Sequence, residues 1–183
     1  MTPGTSRLVE PSAFTKVSVR GWYSQPTLTT ANALREHLLA LLDSGDAHQD
    51  FDSAVEAVPA AARGKRPAGA PHSPWELIEH MRIAQSDILE YSRDAAHVSP
   101  EFPKGYWPPS PEPPSETAWD ESVAKFRAGR AALAALVNDE STDLFAKIPH
   151  GTATLLAQLF LIADHNTYHL GQLVLVRRML TGE

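Results

Sequence analysis

Hydrophobic positions recur at three- and four-residue steps in four separate stretches of this chain, which predicts amphipathic helices rather than strands. The first stretch covers Thr29 to Leu42, with Ala33, Leu34, Leu38, Leu41 and Leu42 on one face. The second opens at Ser73-Pro74-Trp75-Glu76. Ser73 can cap a helix, Pro74 suits the first helical position, and Glu76 can reach back to close a capping box. Its apolar stripe continues through Leu77, Met81, Ala84 and Ile88. The third stretch begins near Ser115 and carries Trp119, Val123, Phe126, Leu133 and Leu136. The fourth runs from Thr152 to Leu180, with Leu155, Leu159, Ile162, Leu173 and Val176 inward. Between the first two the pattern is weaker, and Phe51, Val55 and Val58 could anchor a short extra helix.

Proline sets the boundaries. Seven of the 15 prolines fall between Pro100 and Pro114, in the run PEFPKGYWPPSPEPP, which cannot be helix or central strand because each ring removes a backbone donor and restricts its neighbour. It reads as a long connection, packed through Phe102, Tyr106 and Trp107. A second connection rich in Pro and Gly runs from Pro59 to Pro71. With Ala- and Leu-rich segments and no alternating runs, the expected fold is all-α: an antiparallel four-helix bundle whose second and third helices are joined by the proline-rich connection. Residues 1–26 lack periodicity and are expected to form an extended or flexible arm ahead of a bundle domain over 27–183.

Composition narrows the function classes. The chain of 183 residues, 43% hydrophobic and 21% charged, has the balance of one ordinary soluble domain. Its longest apolar stretch, Leu155 to Ala163, is nine residues and already contains Gln158, too short to span a membrane. No apolar block marks a secretory leader before Pro26. The absence of Cys removes disulfides, thiolate metal sites and a cysteine nucleophile, and fits a cytoplasmic location. A net charge of −6, with one dense basic run at Arg63-Gly64-Lys65-Arg66, argues against nucleic-acid binding. An acidic bundle of this kind is compatible with a monomer or a homodimer.

The chemistry lies in the histidines. Eight occur, and His165 and His169 stand four apart in the strongest helical stretch, so they share a face, the same apolar face as Ile162 and Val176. Two imidazoles at this spacing are the helical half of a metal site. By chance alone such a pair arises in roughly one chain in three of this His content. His80, three residues after Leu77 and four before Ala84, faces the core of the second helix. Three inward histidines on two helices leave two readings open: nitrogen ligands to one ion, or separately hydrogen-bonded core histidines. The residues between the helical pair, Asn166-Thr167-Tyr168, lack the glutamate of a His-Glu-x-x-His peptidase. No G-x-S-x-G elbow, P-loop or GxGxxG motif is present, so a serine hydrolase, kinase or dinucleotide enzyme is not expected.

The segment His72-Ser73-Pro74-Trp75-Glu76-Leu77-Ile78-Glu79-His80-Met81, followed by Asp164-His165-Asn166-Thr167-Tyr168-His169-Leu170-Gly171-Gln172, resembles the DinB-like superfamily. Members of that family are four-helix bundles in which one histidine of the second helix and two of the last bind a divalent metal. The resemblance places those ligands on His80, His165 and His169, and the helix order and the Gly-Gln after the last histidine also match. It spans Thr29 to Leu180 and is specific in the two quoted segments, whereas the first 26 residues and the proline-rich connection depart from the family pattern. Relatives include metal-dependent transferases that use low-molecular-weight thiols, a thiol-dependent isomerase and proteins regarded as hydrolases.

What the resemblance implies is a metal-dependent enzyme acting on a small molecule by thiol S-transfer or hydrolysis. The alternative is a non-catalytic metal-binding bundle of the stress response. Three protein nitrogens leave a coordination position open. Neutral imidazoles suit zinc, nickel, copper or iron, with zinc and nickel the expected occupants. Any thiol, such as mycothiol or bacillithiol, must come from outside a chain without Cys. Around the three ligands, Glu76 lies one turn before His80 and could act as a base or orient an imidazole, in competition with its capping role. Gln172, three after His169, could contact a ligand or serve polar packing. His72 could touch substrate at the mouth of the bundle or be an exposed residue flanking the cap. Asp164 points about 100° away from His165 and is a poor partner for it. His37, His48, His97 and His150 read as ordinary, and Trp75, Trp119 and Tyr168 as pocket lining or core.

Overall fold

The helices stand where the periodicity places them, in a computed structural model that describes residues 29–43 and 47–183. The arm expected over 1–26 lies outside the described residues. Those residues form five α-helices and no strand: α1 (Thr30–Asp43), α2 (Phe51–Glu56), α3 (Pro74–Arg93), α4 (Ala118–Asn138) and α5 (Leu155–Thr181). The α2 helix is the short one anticipated from Phe51 and Val55, and Asp50 caps it by accepting from the Ser53 N–H.

Local chemistry sets the ends. At α3 the full capping box is made: the Ser73 hydroxyl accepts from the Glu76 N–H, while the Glu76 carboxylate accepts from the Ser73 N–H. Two starts differ from the sequence expectation. The α4 helix begins at Ala118 rather than near Ser115, at the first residues of the stretch that reach the core, Ala118 and Trp119. The α5 helix begins at Leu155 rather than Thr152, because the preceding backbone is committed elsewhere. Ile148 N–H donates to the Ala153 carbonyl and Leu155 N–H to that of Ala146, so Lys147 and Thr154 face each other in an isolated antiparallel bridge. Thr154 then caps α5 by accepting from the Ala157 N–H, and Gly182, at φ +77°, closes the other end in the left-handed conformation that glycine adopts without strain.

Helix α3 packs against α4 and α5, α1 against α4 and α5, and α2 against α5. The core falls into two clusters. One joins Phe51, Trp75, Ile78, Met81, Trp119, Phe126, Leu170 and Leu173; the other joins Leu38, Leu42, Leu89, Leu133, Val137, Leu159 and Ile162. Each such side chain, fully buried, stabilises the fold by about 1.5–3 kcal/mol before chain entropy is counted. Leu41 does not join them: it is exposed, while Leu38 and Leu42 carry the apolar face of α1.

At the seam between the clusters the interior turns polar. Gln85 of α3 donates to the Phe126 carbonyl of α4 (2.9 Å) and accepts from Asn166 Nδ2 of α5 (3.0 Å), so one amide ties three helices together. His80 and His169 are buried as well.

Between α3 and α4 the chain forms no α-helix, only a short 3-10 turn at Lys104–Tyr106, in keeping with its prolines. This segment is held against α3. Ser73 Oγ, besides capping the helix, donates to the Pro111 carbonyl at 2.6 Å, and Tyr106 and Trp107 are partly buried. Among the described residues no helix is long and apolar enough to cross a membrane.

Candidate metal centre

Helical spacing brings His165 and His169 to one face of α5, and the packing of α3 on α5 sets His80 opposite them. His80 Nε2 lies 3.1 Å from His169 Nε2 and 3.0 Å from His165 Nε2. The other nitrogen of each ring faces an oxygen. His80 Nδ1 donates to the Tyr106 carbonyl at 2.7 Å, His169 Nδ1 to Gln172 Oε1 at 2.8 Å, and His165 Nδ1 faces Asn166 Oδ1 at a longer 3.4 Å. With Nδ1–H donating outward, each Nε2 presents a lone pair inward. The His80 lone pair therefore meets those of His165 and His169 at about 3 Å with no hydrogen between them, a repulsive arrangement unless an electrophile lies among the three.

Burial keeps the rings neutral. Removal from water pushes His80 and His169 down to about 4, against the smaller upward pull of the Tyr106 carbonyl and of Gln172, and lowers His165 in the same way. The donor set therefore fits a divalent transition metal, and these three histidines could hold one. Three nitrogens each about 2.1 Å from one ion at tetrahedral angles stand about 3.4 Å apart, close to the two spacings from His80, and all three lie within 4.8 Å of one another.

The proline-rich segment supplies a wall of the centre that helical periodicity does not reveal. The Trp107 ring stacks on His80 (centroids 3.8 Å, planes 5° apart) and on His72 (3.9 Å, 14°). Tyr106 holds His80 through its carbonyl, while its hydroxyl donates to Asp87 Oδ2 at 2.6 Å. Burial, reinforced by that bond, pushes the Tyr106 hydroxyl up to about 12. Asp87, itself buried in α3, binds His97 Nε2 at 2.8 Å through its other oxygen. His97, read from sequence as ordinary, is thus linked to His80 through Asp87 and Tyr106 by three hydrogen bonds. The signal present in the sequence was the aromatic pair Tyr106-Trp107 inside a run of prolines.

The remaining candidates take these places. Glu76 is buried and spends its carboxylate on the capping box and on Arg66, whose Nε donates to Oε2 at 2.8 Å and whose NH2 pairs with Oε1. Burial raises its carboxyl and the Arg66 and Ser73 contacts outweigh that, so it lies below the usual glutamate range. Gln172 holds His169 and is outside the cavity lining. His72 is half-buried rather than exposed: it lies against Trp107, its Nδ1 has no hydrogen-bond partner, and burial lowers its pKa. Trp75 and Trp119 are core, whereas Asp164 and Tyr168 are exposed.

A cavity of about 600 Å³ opens onto His80, His165 and His169, bounded by α3, α5 and the proline-rich segment. The family model described as the DinB superfamily matches residues 45–173, which take in α2, α3, α4, α5 as far as Leu173, and all three histidines. No curated protein matches the chain, and no solved structure does.

Proposed function

The chain belongs to the DinB superfamily, and from that premise we propose that it is a metal-dependent enzyme in which His80, His165 and His169 hold one divalent ion, zinc or nickel, for thiol S-transfer or hydrolysis on a small molecule. The architecture this assumes is an antiparallel arrangement of α1, α3, α4 and α5 with the proline-rich segment as the crossover. The observation that carries the reading is the inward convergence of three neutral Nε2 atoms whose partner nitrogens face oxygens. When bound, the ion supplies Lewis acidity toward a water or an external thiol at its open position.

The chain's own residues do the rest. Gln172 and the Tyr106 carbonyl fix two imidazoles in the ligating tautomer and orientation. Trp107 covers the face of His80 and limits water on that side. The cavity beside the histidines favours catalysis over the alternative, an ion that only stabilises the bundle, because it leaves room for a reactant next to the open position.

The test is elemental analysis of tag-free protein, wild type beside His165→Ala. About one transition-metal ion per chain in the wild type, absent in the variant, is the expected outcome. Absence from both after reconstitution refutes the metal site.

A further inference from the structure

The cavity beside the histidines has a composition of its own. Its wall is built from Ile88, Tyr91, Phe102, Tyr106, Trp107 and Leu161, four of them aromatic. Among the described residues that line it there is no Lys and no Arg. The one carboxylate, Asp87, is already engaged through both oxygens, by the Tyr106 hydroxyl and by His97 Nε2. Ser99 and Gln158 are the uncharged polar groups of the lining. A phosphate, a carboxylate or a sulfonate placed along this wall would lose its hydration and gain no cationic side chain in return. An aryl or alkyl body, by contrast, exchanges water for apolar surface and ring faces.

Size and rim agree with this. About 600 Å³ lies within the usual range for a site that encloses a small organic ligand, roughly 300–1,000 Å³. At the mouth, Phe102 is 83% exposed and Leu161 50%, apolar side chains facing water beside an apolar cavity. The proline-rich segment brings Phe102, Tyr106 and Trp107 to the site together, so three of the four aromatic residues come from one stretch of sequence.

We infer that the cavity takes a molecule with an uncharged, predominantly aromatic or aliphatic body, directed with its reacting end toward His80, His165 and His169. This deepens the enzymatic reading above and rests on it for the identity of the reacting end, while the choice of body rests on the wall alone.

The test uses 2-naphthol and 2-naphthyl phosphate, one ring system with and without charge, titrated calorimetrically into the full chain after chelator treatment so that no metal attracts the phosphate. Saturable binding of one naphthol per chain, at least tenfold tighter than the phosphate, is expected. Phe102→Ser should weaken naphthol binding severalfold. Leu161→Arg, at a half-exposed rim position, should narrow or reverse the preference by adding the missing cation. Equal or tighter binding of the phosphate to the wild type, or naphthol binding that is absent or unchanged in both variants, overturns the inference. Metal content is read separately: naphthol binding to a protein that never holds metal sinks the metal reading and leaves this one standing, and the converse result does the opposite.

Discussion

At the scale of single residues, the centre depends on which nitrogen of each imidazole carries the proton. Gln172 decides this for His169 by accepting from its Nδ1 at 2.8 Å. Gln172→Leu keeps the size and removes the acceptor, so metal affinity should fall on the order of 10–100-fold with stoichiometry near one retained at saturation. Competition against a chromophoric chelator measures this, and Gln172→Glu, which restores an acceptor, should recover most of it. Unchanged affinity in the leucine variant would mean that the ring is held by packing alone. The inward placing of His165 and His169 was legible in the sequence because a four-residue step on a helix fixes which side chains share a face, and that of His80 because Leu77 and Ala84 flank it at helical steps. The partners of their outer nitrogens were not, since the Tyr106 carbonyl belongs to a segment without periodicity and a main-chain oxygen has no sequence signature.

At the scale of elements, the start of α3 brings two readings of Glu76 into conflict. Its folded pKa lies below the unfolded value of 4.5, so its ionised form contributes stability that is present above that value and lost as pH falls through the folded one. Glu76→Gln should therefore lower stability by about 1 kcal/mol at pH 7. The difference should shrink below pH 4.5 and disappear once the wild-type carboxyl is protonated in both states, as read by urea denaturation across pH. Had Glu76 been a base with no structural part, the same variant would lose turnover at unchanged stability. The Ser73-Pro74-Trp75-Glu76 start was plain in the sequence because capping is local chemistry. The starts of α4 and α5 were misplaced by three residues each because neither is decided locally. The first turns on where Ala118 meets the core, the second on the bridge between Lys147 and Thr154.

For the whole molecule, two apolar clusters are joined through a polar seam in which His80 and His169 are buried with inward lone pairs. An ion in that seam should couple to global stability. Chelation should lower the melting temperature on the order of 5–10 °C relative to protein in a hundredfold excess of metal over its Kd, and should leave His165→Ala unmoved. Equal shifts in both would assign the effect to some other ion. The all-α class and the four long helices followed from periodicity, and the short α2 was an option that the weaker pattern at Phe51, Val55 and Val58 left open. The closing of the site by the connection between α3 and α4 did not follow, because prolines report only what a segment cannot be. That division of labour separates two properties of the protein. The three histidines stand on long helices clamped by the core, while one side of the cavity beside them is a loop anchored by a few bonds, among them Ser73 to Pro111 and Tyr106 to Asp87. We expect that side to act as an exchangeable cassette: replacing residues 98–105 while Tyr106 and Trp107 stay in place should change which small molecules bind, as read by calorimetry, and leave the surroundings of His80 as they are.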